Sequence, residues 1–188
     1  MLTFKSIWVS FLFIIIISLV YFYRYPFWIP IGYRSDNTVY SPAFWTIIDV
    51  RQMQEGHYFI AIFLSPFDIH YQFSPIEGKL IDIKYDETGQ FNLAYDLNKS
   101  VQNEKAIYTI QHKRWGIFTI YQIAGKIVRR ISIFRKKDDY VKSGELLGLI
   151  HFGSRVDIII PNYYNNFYLD IRKGQKVNMN TILGKYLD

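Results

Sequence analysis

The hydrophobic positions of this chain form one long run followed by many short ones. Residues 7–23, IWVSFLFIIIISLVYFY, carry no charge. At about 1.5 Å per helical residue they approach the roughly 30 Å of a bilayer core. Beyond Pro30 the apolar runs are short, rich in β-branched and aromatic residues, and separated by turn residues. The pattern predicts one N-terminal transmembrane helix followed by a mostly β domain.

The short runs recur about every ten residues, which is typical of a compact barrel or sandwich. Breaks are predicted at 86–89, 113–115 and 142–144. Two stretches, VKSGELLGLI and IRKGQKVNMNTILGKY, share a pattern of basic residue, Gly, strand, turn and strand that resembles the half-motifs of barrel-sandwich hybrid domains. We therefore predict a compact, barrel-sandwich-like β domain. Its predicted strands are NTVYSPA, YFIAIFL, GKLIDIKY, AIYTIQH, GIFTIYQIAG, KIVRRISIF, LLGLIHF, RVDIIIP and TILGKYL.

The flanks of the long apolar run favour an uncleaved anchor over a signal peptide. Lys5 and Arg24 bound the run, and Trp8 and Tyr21 suit interfacial positions. The following YFYRYPFWIP is bulky throughout and lacks the small residues of a cleavage site. We therefore divide the chain into a membrane anchor at 1–30 and a β-rich domain at 31–188. The flanking charges leave the orientation open. We expect the cell membrane, with the domain on its cytoplasmic side.

Composition narrows the chemistry and the partners. Half of the 188 residues are hydrophobic, enough for one domain with a core, and the absence of cysteine excludes disulfides and thiolate zinc sites. The net charge of +6 favours an anionic partner. Much of it lies between Lys126 and Arg155, which is either a solvated face or, beside an anchor, a surface for anionic lipid headgroups. Nucleic acid is not an expected partner.

A Gly-Ser pair at 153–154 lies between two apolar runs and belongs to a set of motifs in a fixed order. These motifs resemble the short, membrane-anchored form of the phosphatidylserine decarboxylase family. The resemblance covers most of the chain from about residue 20 onward, including FYRYPFWIP and RKGQKVNMNTILG. The motifs are FLSPFDIHYQFSPIEGKL, NEKAIYTI, IAGKIVRRI and GELLGLIHFGSRVDIIIP.

The resemblance implies a cofactor made from the chain itself. Ser154 would be the precursor of a pyruvoyl group, formed when its hydroxyl attacks the carbonyl of Gly153 and the chain is cut into 1–153 and 154–188. Glycine at 153 permits the close approach and distorted backbone that this step needs. The ketone would form a Schiff base with the amine of phosphatidylserine and yield phosphatidylethanolamine and CO2 in phospholipid biosynthesis. No metal or diffusible cofactor is implied. The two products would stay together as a heterodimer, with a higher homo-oligomer left open.

The same resemblance nominates His70 as the proton carrier, a role that suits a pKa near neutrality. Asp68 would share its face on an extended segment and orient the imidazole. Arg155 is a candidate for binding the anionic substrate, and Asp157 for supporting the site. His151 is a rival base, although strand alternation points it away from the cleavage site unless a bend intervenes.

Two departures from the family pattern bear on maturation. Phe44 and Trp45 occupy the Asp-Gly positions of a Ser-Pro-Ala-Asp-Gly segment, so an acid thought to assist cleavage is missing, and Phe73 stands where longer members have a second histidine. The carboxylates that could substitute are Asp49, Asp68 and Asp157. The leading hypothesis is a self-processing decarboxylase. The alternatives are a non-processing, membrane-bound, lipid-binding relative and an accessory subunit of an export system, although no heptad pattern supports the latter.

Overall fold

A computed structural model describes residues 4–22, 24–90, 92–126, 130–151 and 153–187. The chain begins with one α-helix, α1 (Phe4–Phe22). Among the described residues, no helix has both the length and the apolar character needed to cross a bilayer. The predicted transmembrane helix is therefore not supported. The last position of that predicted span, Tyr23, lies outside the described residues.

The rest of the described chain is built of short strands, so the prediction of a mostly β domain is confirmed. A single 3-10 turn, Ser100–Gln102, interrupts them. The strands are β1 (Thr38–Tyr40), β2 (Trp45–Gln52), β3 (Tyr58–Leu64), β4 (Tyr71–Phe73), β5 (Gly78–Asp86), β6 (Lys105–His112), β7 (Gly116–Ile123), β8 (Ile131–Ile133), β9 (Tyr140–Val141), β10 (Leu146–Ile150), β11 (Ser154–Ile160), β12 (Phe167–Leu169), β13 (Lys176–Val177) and β14 (Ile182–Tyr186).

Each predicted strand coincides with an observed one, because alternating β-branched and aromatic residues fit a half-buried pleated surface. Within KIVRRISIF, however, residues 127–129 lie outside the described part of the chain, as does the last residue of LLGLIHF. The breaks at 113–115 and 142–144 fall between strands, as predicted, and the break at 86–89 begins at the last residue of β5. Strand β2 was not predicted, and neither were the short strands β4, β9, β12 and β13. Strand β2 begins at Trp45, within the segment noted only for its missing acid.

The strands form three antiparallel sheets. The large sheet has the order β13-β2-β3-β11-β7-β6-β5-β9, and two three-stranded sheets have the orders β4-β10-β8 and β1-β14-β12. The two half-motifs of the sequence occupy equivalent places in this arrangement. In each, the first short strand (β9 or β13) lies at an edge of the large sheet, and the second (β10 or β14) is the central strand of a three-stranded sheet.

The core is one continuous cluster of aliphatic and aromatic side chains contributed by all three sheets. Alternate residues of β3, β6, β7 and β11 point into it, among them Ile60, Ile110, Phe118 and Val156, none of which is exposed. A smaller cluster contains Phe44, Ile69, Phe73 and Met179. The chain passes from the β4-β10-β8 sheet to the large sheet between β10 and β11, and the Gly-Ser pair lies at this crossing.

Candidate active site

The Gly-Ser pair lies where the chain leaves one sheet and enters another. Strand β10 ends at Ile150 and β11 begins at Ser154, with a bend at Gly153 that sequence alternation alone did not predict. Gly153 has a φ of 65°, a left-handed conformation that favours glycine. Ser154 is fully buried, and within the described residues its Oγ has no hydrogen-bond partner. A buried hydroxyl without a hydrogen-bond partner is uncommon in a folded protein, so Ser154 Oγ is a candidate reacting group.

His70 lies against this bend. It directly precedes β4, and β4 pairs with β10, which brings the histidine to the end of β10. The backbone N–H of Gly153 donates to His70 Nε2 over 2.9 Å. His70 Nδ1 lies 2.7 Å from the backbone carbonyl of Asp68. Because a carbonyl only accepts, Nδ1 carries the proton and Nε2 presents its lone pair to the Gly-Ser pair.

The surroundings keep the His70 ring neutral. Burial lowers the pKa of His70 to about 4, although its hydrogen bond to the Asp68 carbonyl acts in the opposite direction. The positive charge of Arg24, and that of His151 when it is protonated, lower this pKa further. At neutral pH the imidazole is therefore an unprotonated base, with Nε2 hydrogen-bonded to the N–H of the residue before Ser154.

Asp68 holds His70 by its backbone rather than by its carboxylate. Residues 65–68 form a turn, so the segment is not extended as expected, and Asp68 Oδ2 accepts from the N–H of Ser65 over 2.6 Å. Burial raises the pKa of the Asp68 carboxyl, while the hydrogen bond from Ser65 and the charges of Arg24 and Lys176 lower it. Asp68 thus orients the histidine through its carbonyl and places a nearly buried acid in the same turn.

Asp68 is also the one of the three candidate replacement acids that lies with His70. Asp49, on β2, forms a 2.9 Å ion pair with Arg51. Asp157, on β11, is engaged with Arg155 on the face opposite Ser154. The geometry therefore singles out Asp68, which the sequence spacing alone did not.

Phe44 and Trp45, at the positions of the missing Asp-Gly, lie at the start of β2. Phe44 is buried, with its ring centroid 6.2 Å from that of Phe73. Trp45 has a φ of 100°, which bulky residues rarely adopt and glycine adopts freely. Lys176 Nζ lies 4.0 Å from the centre of the Trp45 ring. The cation and the indole thus stabilise a conformation suited to glycine.

Arg155 does not face Ser154. Successive side chains of a strand point to opposite sides, so Ser154 and Val156 enter the core while Arg155 and Asp157 lie on the other face. Arg155 Nε is 2.8 Å from Asp157 Oδ1, and its Nη1 donates to the carbonyl of Ala94 over 3.2 Å and to the hydroxyl of Ser100. The pair holds the loop before β6 against the sheet. Burial raises the pKa of Asp157 to about 6 although Arg155 opposes this shift.

His151 lies on the bend itself. Its backbone N–H donates to the carbonyl of Arg130 over 2.9 Å, and its Nε2 is 3.0 Å from Ser132 Oγ. Burial, and then the charge of Arg130, lowers the pKa of His151. The bend thus leaves two neutral histidines near the Gly-Ser pair, of which His70 is the one hydrogen-bonded to it.

Two buried glutamines next to the site were missed by the sequence analysis. Gln72 and Gln122 are fully buried in strands β4 and β7, and Gln122 donates to Gln72 over 2.7 Å. Their signal in the sequence is a polar residue at a core-facing position of an otherwise apolar strand. Among the described residues, no group of three or more His, Asp or Glu side chains is placed to hold a metal ion.

Sequence comparisons relate this chain to one family of known proteins. A sequence profile described as "Phosphatidylserine decarboxylase" matches residues 32–185. A phosphatidylserine decarboxylase proenzyme of Carboxydothermus hydrogenoformans is 34% identical over 92% of this chain and 81% of its own length. One of Geotalea uraniireducens is 32% identical over 93% of this chain and 82% of its own length.

A more distant group shares the same core region. A Methanosarcina barkeri proenzyme, named for archaetidylserine decarboxylation, is 36% identical over 76% of this chain, which spans 65% of that protein. No solved structure matches the chain. Because the profile spans most of the sequence and the relatives exceed 30% identity over nearly all of it, the chain belongs to the phosphatidylserine decarboxylase family.

Proposed function

We propose that this protein cuts itself between Gly153 and Ser154 and then decarboxylates phosphatidylserine to phosphatidylethanolamine. The observation that carries the proposal is the 2.9 Å hydrogen bond between Gly153 N and His70 Nε2, beside a buried Ser154 hydroxyl that has no partner among the described residues. A neutral base, a flexible glycine and an unsatisfied nucleophile meet at one peptide bond. Family membership supports the same reaction.

The cut begins with His70. Its Nε2 releases the Gly153 N–H and takes the proton from Ser154 Oγ, and the oxygen attacks the carbonyl carbon of Gly153. The amide bond breaks as an ester forms, and the proton passes to the nitrogen of Ser154. Loss of the Ser154 α-proton then expels the Gly153 carboxylate and leaves a dehydroalanine, from which water displaces ammonia. The products are a chain that ends at Gly153 and one that begins with a pyruvoyl group.

The residues around Ser154 fit this group. The position is enclosed by β3 and β7 on either side of β11, and bulk water is excluded from the buried serine. When formed, the pyruvoyl group supplies a ketone that draws electrons from the bond to the departing carboxylate. His70 Nε2 lies close enough to hold the proton that replaces the carboxylate, and Asp68 keeps the ring in the required tautomer.

The non-processing alternative depends on the absence of an acid at positions 44 and 45. The geometry favours the processing enzyme, because Asp68 lies in the turn that holds His70 and the base already contacts Gly153. The alternative predicts a single intact chain that binds lipid vesicles without changing them.

The substrate's phosphate meets positive charge near the site. Arg24 donates to the carbonyl of Phe67 over 2.9 Å, beside the turn that carries Asp68, and Lys176 lies over Trp45. Both charges act on the Asp68 carboxyl. We assign them to attraction of the phosphodiester, and the serine headgroup is the part that phosphatidylserine and archaetidylserine have in common. Replacing Arg24 by glutamine should raise KM with little change in kcat; an unchanged KM would contradict the assignment.

The enzyme works at a lipid surface, and its apolar exposure supports this location. Side chains of α1 at 8–17 and at Val20 are exposed, and so is Phe67, at 63%, in the turn at 65–68. Arg24 joins the segment after α1 to that turn. We therefore place this end of the molecule against the membrane, with the basic residues near Arg130 toward anionic headgroups.

Vesicle sedimentation tests this orientation. Phe67→Ser should reduce binding to vesicles that contain phosphatidylserine. Tyr164→Ser is the matched control, because Tyr164, at 81%, is an even more exposed aromatic residue and lies beyond the other end of β11. Equal loss of binding by the two variants, or no loss by either, would contradict the placement.

The reaction itself is tested with phosphatidylserine vesicles and the full chain. Formation of phosphatidylethanolamine by the wild type, and none by Ser154→Ala, is the expected result. An intact wild-type chain that releases no phosphatidylethanolamine would refute the proposed activity and leave the lipid-binding alternative.

A further inference from the structure

Three fully buried polar side chains form a hydrogen-bonded line through the core and end at His70. The Tyr108 hydroxyl donates to Gln122 Oε1 over 2.9 Å, Gln122 Nε2 donates to Gln72 Oε1 over 2.7 Å, and Gln72 Nε2 donates to the His70 carbonyl over 2.5 Å. None of the three side chains is exposed. The carbonyl can only accept, so each amide has one allowed orientation and the line has a fixed direction.

This line connects two sheets. Tyr108 and Gln122 lie on β6 and β7 of the large sheet, whereas Gln72 lies on β4 of the β4-β10-β8 sheet. The reacting groups are divided in the same way, because Ser154 begins β11 of the large sheet and His70 precedes β4. The line therefore spans the same gap as the reacting pair.

The cut removes the covalent link across this gap. Before it, residues 151–153 join β10 directly to β11; afterwards residue 154 is a chain end that pairs with Leu64 of β3, and the pairing of β11 with β7 starts only at Arg155. All three members of the line lie before residue 153 and stay in one chain. We propose that Tyr108, Gln122 and Gln72 are positioning residues that hold His70 in place relative to residue 154 once the chain is cut. This inference rests on the proposed function of His70.

The packing around the line is shaped to accommodate it. A Cβ at Gly148 would lie 2.8 Å from the Tyr108 hydroxyl and 2.9 Å from Gln122 Nε2, so only glycine leaves room for both groups. Apolar side chains would fill this space without the cost of burying three polar groups. A buried network in which every polar group is hydrogen-bonded instead fixes one arrangement of the sheets. Such a fixed arrangement is required to place a base to within a fraction of an ångström.

The test compares single and double substitutions with methionine, which has nearly the shape of glutamine. Gln122→Met alone leaves Gln72 Oε1 buried without its donor and should lower the melting temperature. Gln72→Met/Gln122→Met removes the glutamine pair together. In that variant the Tyr108 hydroxyl still has the Leu147 carbonyl within 3.4 Å, and the His70 carbonyl still accepts from Ile150 N. Its melting temperature should therefore return close to that of the wild type.

The rate of decarboxylation by the double variant should stay low even though its melting temperature is restored. In the cleaved double variant, kcat for phosphatidylserine should be about 10²-fold below the wild type, the size of loss that a misplacement near 1 Å produces. The pKa of His70, followed by NMR of the ring nitrogens, should rise toward its ordinary value because the ring is held less firmly in its buried position. Tyr186→Phe is the matched control: it removes a buried tyrosine hydroxyl that donates to the Pro161 carbonyl, far from the site, and should change neither readout.

A double variant with wild-type kcat and an unshifted His70 pKa would overturn the inference and leave the line a purely structural feature. Failure of the proposed function is recognised separately, because then the wild type itself does not convert phosphatidylserine. The NMR titration of His70 in the cut protein needs no conversion of phosphatidylserine, so it still decides the positioning question in that case.

Discussion

At the scale of single residues, the site depends on one histidine whose proton is placed by a backbone carbonyl. The Asp68 carbonyl fixes the proton on Nδ1, and burial keeps the ring uncharged, so Nε2 is a base at the cleavage point. Ser154 contributes only a buried hydroxyl, and Gly153 only an unusual backbone conformation. The chemistry therefore follows from where the side chains are held rather than from unusual residue types.

Self-cleavage should depend on pH through His70. The imidazole acts as a base only when unprotonated, so the rate should be level at neutral pH and fall as the pH drops through about 4, the pKa to which burial lowers it. His70→Gln should abolish the cut. Both are measured by following the uncut chain after cell-free synthesis. A midpoint near 6.5 would mean that His70 is not buried in the reacting state, and a glutamine variant that still cuts would exclude it as the base.

Trp45 should be strained at its position. Its φ of 100° suits glycine, so Trp45→Gly removes the indole but relieves the backbone, whereas Trp45→Ala removes the indole and keeps the strain. We expect the glycine variant to be more stable than the alanine variant by about 1 kcal/mol. Chemical denaturation of the two proteins measures this difference, and a more stable alanine variant would contradict it.

At the scale of elements, strand β11 determines which neighbours in the sequence become neighbours in the site. Its pattern predicted a strand correctly, and so did the patterns of β3, β6 and β7, because apolar alternation reports burial directly. The sequence was less informative about which side chains face the site. Arg155 is adjacent to Ser154 in sequence but opposite to it in space, and Gln72 and Gln122 reach His70 only through sheet pairing that no local pattern encodes.

The Arg155–Asp157 pair should behave as a buried ion pair on β11. Arg155→Met leaves the Asp157 carboxylate buried without its cation and should cost about 3–5 kcal/mol of unfolding free energy at pH 7. Arg155→Met/Asp157→Leu should recover most of this loss. Burial raises the pKa of Asp157 to about 6 in the folded protein, against about 4 in the unfolded chain. The destabilisation caused by the buried charge is therefore absent below the unfolded-state pKa and complete above the folded-state pKa.

Denaturant unfolding between pH 4 and pH 8 tests the pair. The difference in unfolding free energy between Arg155→Met and the wild type should become smaller as the pH falls and Asp157 takes up a proton. A deficit independent of pH, or a double variant as unstable as the single, would show that Arg155 acts through packing alone.

At the scale of the whole molecule, the fold would keep the two parts of the chain together after the proposed cut. Strand β11 lies between β3 and β7 in the middle of the large sheet, and β12 to β14 pair back onto the rest of the chain. The fragment 154–188 would thus be held by sheet hydrogen bonds and by the core. In the proposed membrane orientation, a lipid headgroup would enter from the side of the exposed Phe67, whose carbonyl accepts from Arg24.

Intact mass of the purified protein tests the central claim most directly. Under denaturing conditions the wild type should give two chains, one ending at Gly153 and one beginning at residue 154 with its amino group replaced by a ketone. Under native conditions the two should travel as one particle, and Ser154→Ala should remain a single chain in both. A wild-type protein of full, uncut mass would contradict the account.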